Sequence, residues 1–362
     1  MEAAGQEWLR RIRELPLPPR VRVMNVCGGH ERTIAQAGLR SLLPPGVELI
    51  PGPGCPVCVC PEEDILAAMT LALDHGVMLT TFGDMLRVPV LTAPGQPRSL
   101  EQARAAGGEV IPLASPLEAL ALARQHPHRQ VVFFAVGFET TMAPVAALLA
   151  QGTPDNLSLL LSGRLTRPAV ALLLSGATPG FEALVAPGHV ATIAGPEEWA
   201  FVAQRHGLPV AVAGFTPERL LRALWSVLRQ VAEGRLFLDN CYPEVVRPGG
   251  NPGARRLLET VFTVRDAPWR GLGVLPASGY ALAPAFACRD ARLRFPRAFQ
   301  PDNRRHRGEM PPGCACAQVV LGRVTPLGCR LYGSPCTPRH PVGPCMVSDE
   351  GACRIWWSSG RR

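Results

Sequence analysis

One pattern repeats through the first two-thirds of the chain and limits what it can become. A short β-branched stretch runs into a turn rich in glycine or proline, and an amphipathic helical stretch follows. Residues 21–26, 47–50, 77–82, 131–136 and 210–213 read as strands of this kind. Helical stretches follow from Thr33, from Pro61, over 143–150, and from Pro217 to about Glu233. Pro61 is followed by Glu62, Glu63 and Asp64, acids suited to the positive end of a helix dipole. Ile65, Leu66, Met69 and Leu73 give that helix one buried stripe. Thr216 and Pro217 suit the cap and first helical position of the last. Strands alternating with helices argue for parallel sheets covered on both faces. The expected fold class is α/β, with two Rossmann-like parallel-sheet units over residues 1–130 and 131–300, either separate or interleaved. A small loop-rich module is expected over 301–362, because the texture turns Gly- and Pro-rich from Cys241 onward.

Ligands of open parallel sheets gather at the carboxyl ends of strands. The least ordinary turns here fall at such ends: Cys27-Gly28-Gly29-His30-Glu31, Gly52-Pro53-Gly54-Cys55-Pro56-Val57-Cys58 and Gly137-Phe138-Glu139-Thr140-Thr141. Several of them are expected to converge on one cleft.

The chain holds twelve cysteines, and Cys314, Cys316, Cys329, Cys336, Cys345 and Cys353 fall within forty residues. In a reducing compartment such density points to metal or redox work rather than a disulfide framework. A cubane iron–sulfur cluster takes four thiolates and would leave two of the six over. A tetrahedral zinc site leaves the same remainder, although the two close C-x-x-C pairs of a zinc ribbon are missing. Pro335, Pro338, Pro341 and Pro344 stiffen these loops, as suits a preformed cage. Cys55 and Cys58 form a C-x-x-C ahead of a helix, where backbone N–H groups favour the thiolate; half a zinc site is the other reading. Cys27 beside His30 and Glu31 suits a nucleophile, a soft-metal ligand or a buried structural thiol. Its paired glycines favour a functional role. Glu139 is placed to orient a ligand or shuttle protons, or to cap the next helix. Cys241 and Cys288 read as packing residues.

A formal charge of +8 raises nucleic-acid binding, but the chain has no lysine and its arginines are scattered. The small clusters Arg10–Arg13 and Arg304, Arg305 and Arg307 have no interleaved aromatics, so no nucleic-acid partner is expected. The apolar runs are too short to span a bilayer, and the first twenty residues have no apolar core of a secretory leader. A cytoplasmic protein without a membrane partner is expected. No phosphate loop of the G-x-x-x-x-G-K-[ST] kind occurs.

Taken together these residues resemble the HypD family of [NiFe]-hydrogenase maturation factors over nearly the whole chain. The resemblance is carried by CGGHE at 27–31, GPGCPVC at 52–58, TFGD at 81–84, GFETT at 137–141, PGHV at 187–190, WRGLG at 269–273 and CTPRHPVGPCMVSDEGAC at 336–353. It implies a scaffold, monomeric when alone, on which the Fe(CN)2CO part of the hydrogenase cofactor is built. The implied partners are a HypC-type chaperone and a HypE-type cyanide donor. By the same resemblance Cys27 is the thiolate that holds the iron, and Cys55 with Cys58 a redox pair near it. The terminal module is similar to the catalytic site of ferredoxin:thioredoxin reductase. That likeness implies Cys314, Cys329, Cys336 and Cys353 as [4Fe–4S] ligands and Cys316 with Cys345 as the accompanying dithiol. Cys60 stands where members commonly carry threonine.

The resulting expectation is a relay from the cluster through Cys316 and Cys345 to Cys55 and Cys58, serving iron on Cys27. One rival is a free-standing iron–sulfur thiol–disulfide reductase, which has no task for Cys27. Another is a cysteine hydrolase built on Cys27, His30 and Glu31, which leaves the terminal cysteines without one.

Overall fold

The structure, a computed structural model, describes residues 3–176, 179–300 and 310–360. Its strands are β1 (Val21–Asn25), β2 (Val47–Pro51), β3 (Met78–Phe82), β4 (Val110–Leu113), β5 (Val131–Gly137), β6 (Leu157–Gly163), β7 (Ala183–Pro187), β8 (Val210–Ala213), β9 (Leu238–Asn240), β10 (Phe262–Trp269) and β11 (Gly273–Leu282). Two wholly parallel sheets form, in the orders β2-β1-β7-β8-β9 and β4-β3-β5-β6. The α/β class expected from the strand–turn–helix repeat is the class observed. Every residue of β5 and β6 is buried, as the continuous apolar runs of strands covered on both faces require.

The chain starts the first sheet, leaves it to build the whole second sheet, and returns to complete the first. A boundary at residue 130 therefore runs between β4 and β5, two strands of one sheet. The chain crosses between sheets after β2 and again after β6. An antiparallel hairpin of β10 and β11 was not anticipated from the Gly- and Pro-rich texture after Cys241. It closes onto β6 through a bridge between Arg164 and Gly279. The basic cluster Arg304, Arg305 and Arg307, and the expected module start at 301, lie outside the described residues.

Two helices show why these segments fold as they do. The helix Pro217–Glu233 starts with the Thr216 hydroxyl accepting from the Arg219 N–H at 3.3 Å and stops at Gly234, whose φ of 64° is left-handed. The helix Glu62–Asp74 carries the expected acids in its first turn, but they also anchor it. Buried Asp64 accepts from Arg292 at 2.5 Å, and Glu62 lies 3.7 Å from the buried Arg270 of the WRGLG turn. The Arg270 N–H in turn donates to the Val59 carbonyl at 2.9 Å, tying the hairpin to the C-x-x-C segment.

The terminal module has only short helices, Cys316–Val320 and Ala352–Ser358, among 3-10 turns. It is no appendage. Cys316, Cys336, Cys345 and Cys353 share one core with Cys55, Cys58, Phe134 and Trp269. Trp356 donates from Nε1 to Glu31 at 2.6 Å, clamping the module to the helix Gly28–Gln36. No helix among the described residues is long and apolar enough to cross a membrane.

Glu31 is nearly inaccessible and also accepts from Arg40 at 2.7 and 2.8 Å and from Asn25 at 2.9 Å. Removing it would leave a mostly buried guanidinium uncompensated. Glu31→Ala is expected to cost about 3–5 kcal/mol, whereas Trp356→Phe, which removes one hydrogen bond, costs about 1–3 kcal/mol. Urea unfolding of both variants checks this, and equal losses would remove Glu31 from its central place.

Candidate functional site: a cleft lined by cysteine sulfur

The site begins with two adjacent strands. β1 and β2 run parallel in register from Val21 opposite Val47 to Asn25 opposite Pro51, so their carboxyl ends release CGGHE and GPGCPVC side by side. The loops are stitched together: the Gly52 N–H donates to the Asn25 carbonyl at 2.8 Å and the Gly28 N–H to the Gly54 carbonyl at 3.2 Å. Gly54 must be glycine, because a Cβ there would lie 2.5 Å from the backbone N and Cα of Cys27. Beyond it Cys55 and Cys58 are joined in a disulfide, and the Cys58 N–H donates to Cys55 Sγ at 3.1 Å.

Cys27 is the N-cap of the helix Gly28–Gln36 and is partly exposed. Desolvation pushes its thiol up to about 12, and the Glu350 carboxylate adds to that; backbone N–H groups of His30 and Gly29 work the other way. A metal cation would supply the missing counter-charge, since binding takes the thiolate form. Gly28 leaves room for the terminal module, whose Glu350 Cβ would be 2.4 Å from any Cβ at 28.

His30 points away from sulfur chemistry. It is wholly buried, its Nε2 lies 3.2 Å from the Ala213 carbonyl, and its ring packs 4.7 Å from Phe215. Burial lowers its pKa to about 4, so it is neutral at physiological pH. Phe215 also stacks on His189 of the PGHV turn at 3.7 Å, so three strand-end loops of the first sheet meet here. Glu31 lines the cleft with both oxygens engaged.

From the far side comes the terminal module. The Sγ atoms of Cys316, Cys345 and Cys353 lie within 4.8 Å of one another, a group able to hold a metal ion. Cys314 and Cys316 are neighbours too: a Cβ on Gly343 would sit 2.5 and 2.6 Å from their sulfurs. The Ala315 N–H points to Cys329 Sγ at 3.5 Å and the Val342 N–H to Cys336 Sγ at 3.3 Å. Hydrogen bonds from Cys316 and Cys345 pull the Cys353 thiol down, and those that Cys345 shares with Cys316 and Cys353 push Cys345 up. The cysteines thus form one thiol-rich cage, whose donors fit the four thiolates of an iron–sulfur cluster.

Cys345 belongs to that cage and also faces the cleft. The cavity of about 10 Å³, the room of one water, is lined by Cys27, Cys55, Cys58 and Cys345, with Asn25 and Glu350. Two of the three anticipated strand-end loops converge here. The third does not. Glu139 accepts from the Thr166 N–H and hydroxyl, each at 2.7 Å, and lines a separate cavity with Glu198, Arg255 and Tyr280. Burial raises its pKa to about 7. Cys60 is buried and turns to the Ser162 hydroxyl at 3.5 Å, off the Cys55–Cys58 pair. Cys241 is buried as expected, but Cys288 is exposed, correcting its reading as a packing residue: its 3-10 turn buries none of its residues. Sequence reasoning missed Asn25, Phe215, His189 and Glu350. Of these His189 and Glu350 lie in quoted motifs and carry chemical side chains, whereas Asn25 and Phe215 lie outside any quoted motif and join the site only through tertiary contacts.

An α/β scaffold that presses a disulfide and a lone thiol against a cluster of cysteines offers donors suited to thiol and metal chemistry. Comparison with known sequences makes this specific. The family model for HypD, described as the hydrogenase formation hypA family, matches residues 3–360, and the chain belongs to that family. It is 42% identical to the hydrogenase maturation factor HypD of Azotobacter vinelandii, over 94% of this chain and 90% of that protein. It is 39% identical to the HypD of Rhodobacter capsulatus, over 94% and 89% of the two chains. A putative hydrogenase expression/formation protein of Methanocaldococcus jannaschii is 37% identical over 94% and 93%.

Gly54→Ala forces a methyl into the Cys27 backbone and is expected to destabilise the fold by about 1–3 kcal/mol. It should also part the two loops, so that alkylation of Cys27 in the folded protein becomes faster. Unchanged stability and an unchanged labelling rate would refute the close approach.

Proposed function

We propose that this protein is a cytoplasmic maturation factor for [NiFe]-hydrogenase, the scaffold and redox partner on which the Fe(CN)2CO moiety is assembled. The observation that carries the reading is the single cleft shared by Cys27, the Cys55–Cys58 disulfide and Cys345. Cys27 anchors the iron, which is cargo, through a soft thiolate that suits low-spin iron with carbon ligands. The cavity admits little more than a water, so the cargo sits on the partly exposed side of Cys27. There a cysteine of a HypC-type chaperone can share it, and a HypE-type donor can deliver cyanide.

The remaining chemistry is thiol–disulfide exchange. Cys345 attacks one sulfur of the Cys55–Cys58 disulfide and gives up its proton as the bond forms; a mixed disulfide results, and the other sulfur leaves and takes up the proton. Cys316, which contacts Cys345, then attacks Cys345 and frees the second. The cleft is left with two thiols, and Cys316 and Cys345 are joined. Cys314, Cys329, Cys336 and Cys353 would hold a [4Fe–4S] cluster, which when bound would supply single electrons beside that pair. This choice of ligands follows the likeness to the reductase, and Cys353 lies within 4.8 Å of the sulfurs of Cys316 and Cys345. Glu31 and Arg40 hold the CGGHE helix in position, and His30, neutral and apolar-packed, helps keep water out.

Infrared spectra of the anaerobically isolated protein test the assignment, since bound cyanide and carbonyl absorb where no side chain does. Cys27→Ala is expected to lose those bands while keeping the visible absorption of the cluster, and Cys336→Ala to bleach that absorption. A Cys27→Ala protein that retains iron–cyanide bands would end the anchoring role. Reduction of generic disulfides at an undiminished rate by Cys27→Ala, in a protein that carries no such bands, would favour a free-standing reductase.

A further inference from the structure

The cage has two faces. One, through Cys345, opens on the cleft; the other, at Cys336, is backed by a second cavity that the proposed function does not use. This groove of about 350 Å³ lies between the segment after β3 and residues 335–342 of the terminal module. Arg87, Arg98, Arg339 and His340 line it, all exposed. Glu101 is the one acid among its lining residues and lies 3.6 Å from Arg87. Arg98 and Arg339 make no ion pair among the described residues. Val342 forms part of the wall, and its backbone N–H donates to Cys336 Sγ at 3.3 Å. The floor of a basic groove is therefore one peptide away from a cage sulfur.

From this geometry we propose that the groove docks a small acidic electron-carrier protein, which delivers electrons to the cage at Cys336. The inference rests on the reading of the terminal cysteines as a cluster site. Charge complementarity sets the class of partner: three arginines and a histidine with one acid beside them favour a negatively charged surface. Electron-transfer encounters use small, weak and salt-sensitive interfaces, which an exposed groove of this size supplies. The groove and the cleft share no lining residue, so entry here leaves Cys27 free while the exchange cysteines are recharged. The balance is two docking events, each oxidising one carrier iron from the ferrous to the ferric state. The two electrons and two protons from solvent restore the Cys316–Cys345 disulfide to two thiols.

The test uses the intact anaerobic protein, an acidic plant-type [2Fe–2S] ferredoxin as probe, and the double variant Arg98→Glu/Arg339→Glu. The dissociation constant and the rate of cluster reduction are measured across a salt series, and photoreduction by a deazaflavin radical serves as the control. The expected result is roughly tenfold or more weaker binding and slower ferredoxin-driven reduction in the variant, a flattened salt dependence, and unchanged photoreduction. Arg98→Lys/Arg339→Lys should retain most of the wild-type rate. Equal binding by wild type and charge-reversed variant overturns the docking site. Displacement of ferredoxin by inorganic phosphate at constant ionic strength would give the groove to a small anion instead. Protein without labile sulfide sinks the cluster reading and the docking site with it, whereas intact sulfide with unchanged binding sinks the docking site alone.

Discussion

The parallel pairing of β1 with β2 is the constraint on which the rest depends. Because side chains alternate along a strand, slipping one strand by a single residue would turn the loops beyond it to opposite faces. The observed register delivers Cys27 and Gly54 to one spot, and the missing Cβ of Gly54 lets the two backbones touch. Everything chemical in the cleft is then a matter of what the terminal module brings against that spot. Glu31 governs the approach: its carboxylate, fixed by Arg40 and Asn25, is the acceptor that Trp356 finds. A buried charge with this many donors is costly to assemble and costly to disturb, which makes it a rigid hinge-pin rather than a proton shuttle.

Sulfur in this protein is divided by surroundings more than by sequence spacing. Cys60, Cys55 and Cys58 lie within six residues of one another, yet one faces a serine hydroxyl on β6 and the other two face the cleft. Cys345 and Cys58 are far apart in the chain and line the same cavity. Desolvation keeps Cys27 and Cys60 as thiols until something compensates their charge, while sulfur-to-sulfur hydrogen bonds draw the thiolate onto Cys353. The same element therefore meets three different surroundings, in the cleft, beside β6 and in the cage.

Much of the fold was legible because local signals agreed with the global one. The helix Pro217–Glu233 announces its own cap, first proline and terminal glycine, and the β-branched runs before CGGHE and GPGCPVC are strands within a residue of where they read. Interleaving of the sheets was not legible. It depends on β7 pairing with β1 across more than 150 residues, and nothing local in residues 183–187 specifies that partner. Cys27, Cys55, Cys58 and the terminal cysteines stood out as residue types, but their meeting at Cys345 is a tertiary fact. Glu139 shows the converse: a strand-end acid in a conspicuous motif that lies in another sheet and another cavity. Cys288, exposed where packing was expected, sits in a turn whose periodicity gives no hint of which side faces inward.

If Cys345 is the sulfur through which the terminal cage and the cleft exchange electrons, thiol counting decides the matter most directly. Anaerobic protein is photoreduced, quenched in acid and alkylated, and the state of Cys55 and Cys58 is read by peptide mass in wild type and in Cys345→Ser, with labile sulfide confirmed in both. The account requires free Cys55 and Cys58 in the wild type and a persisting disulfide in the variant. Equal release of the two thiols in both proteins would contradict it.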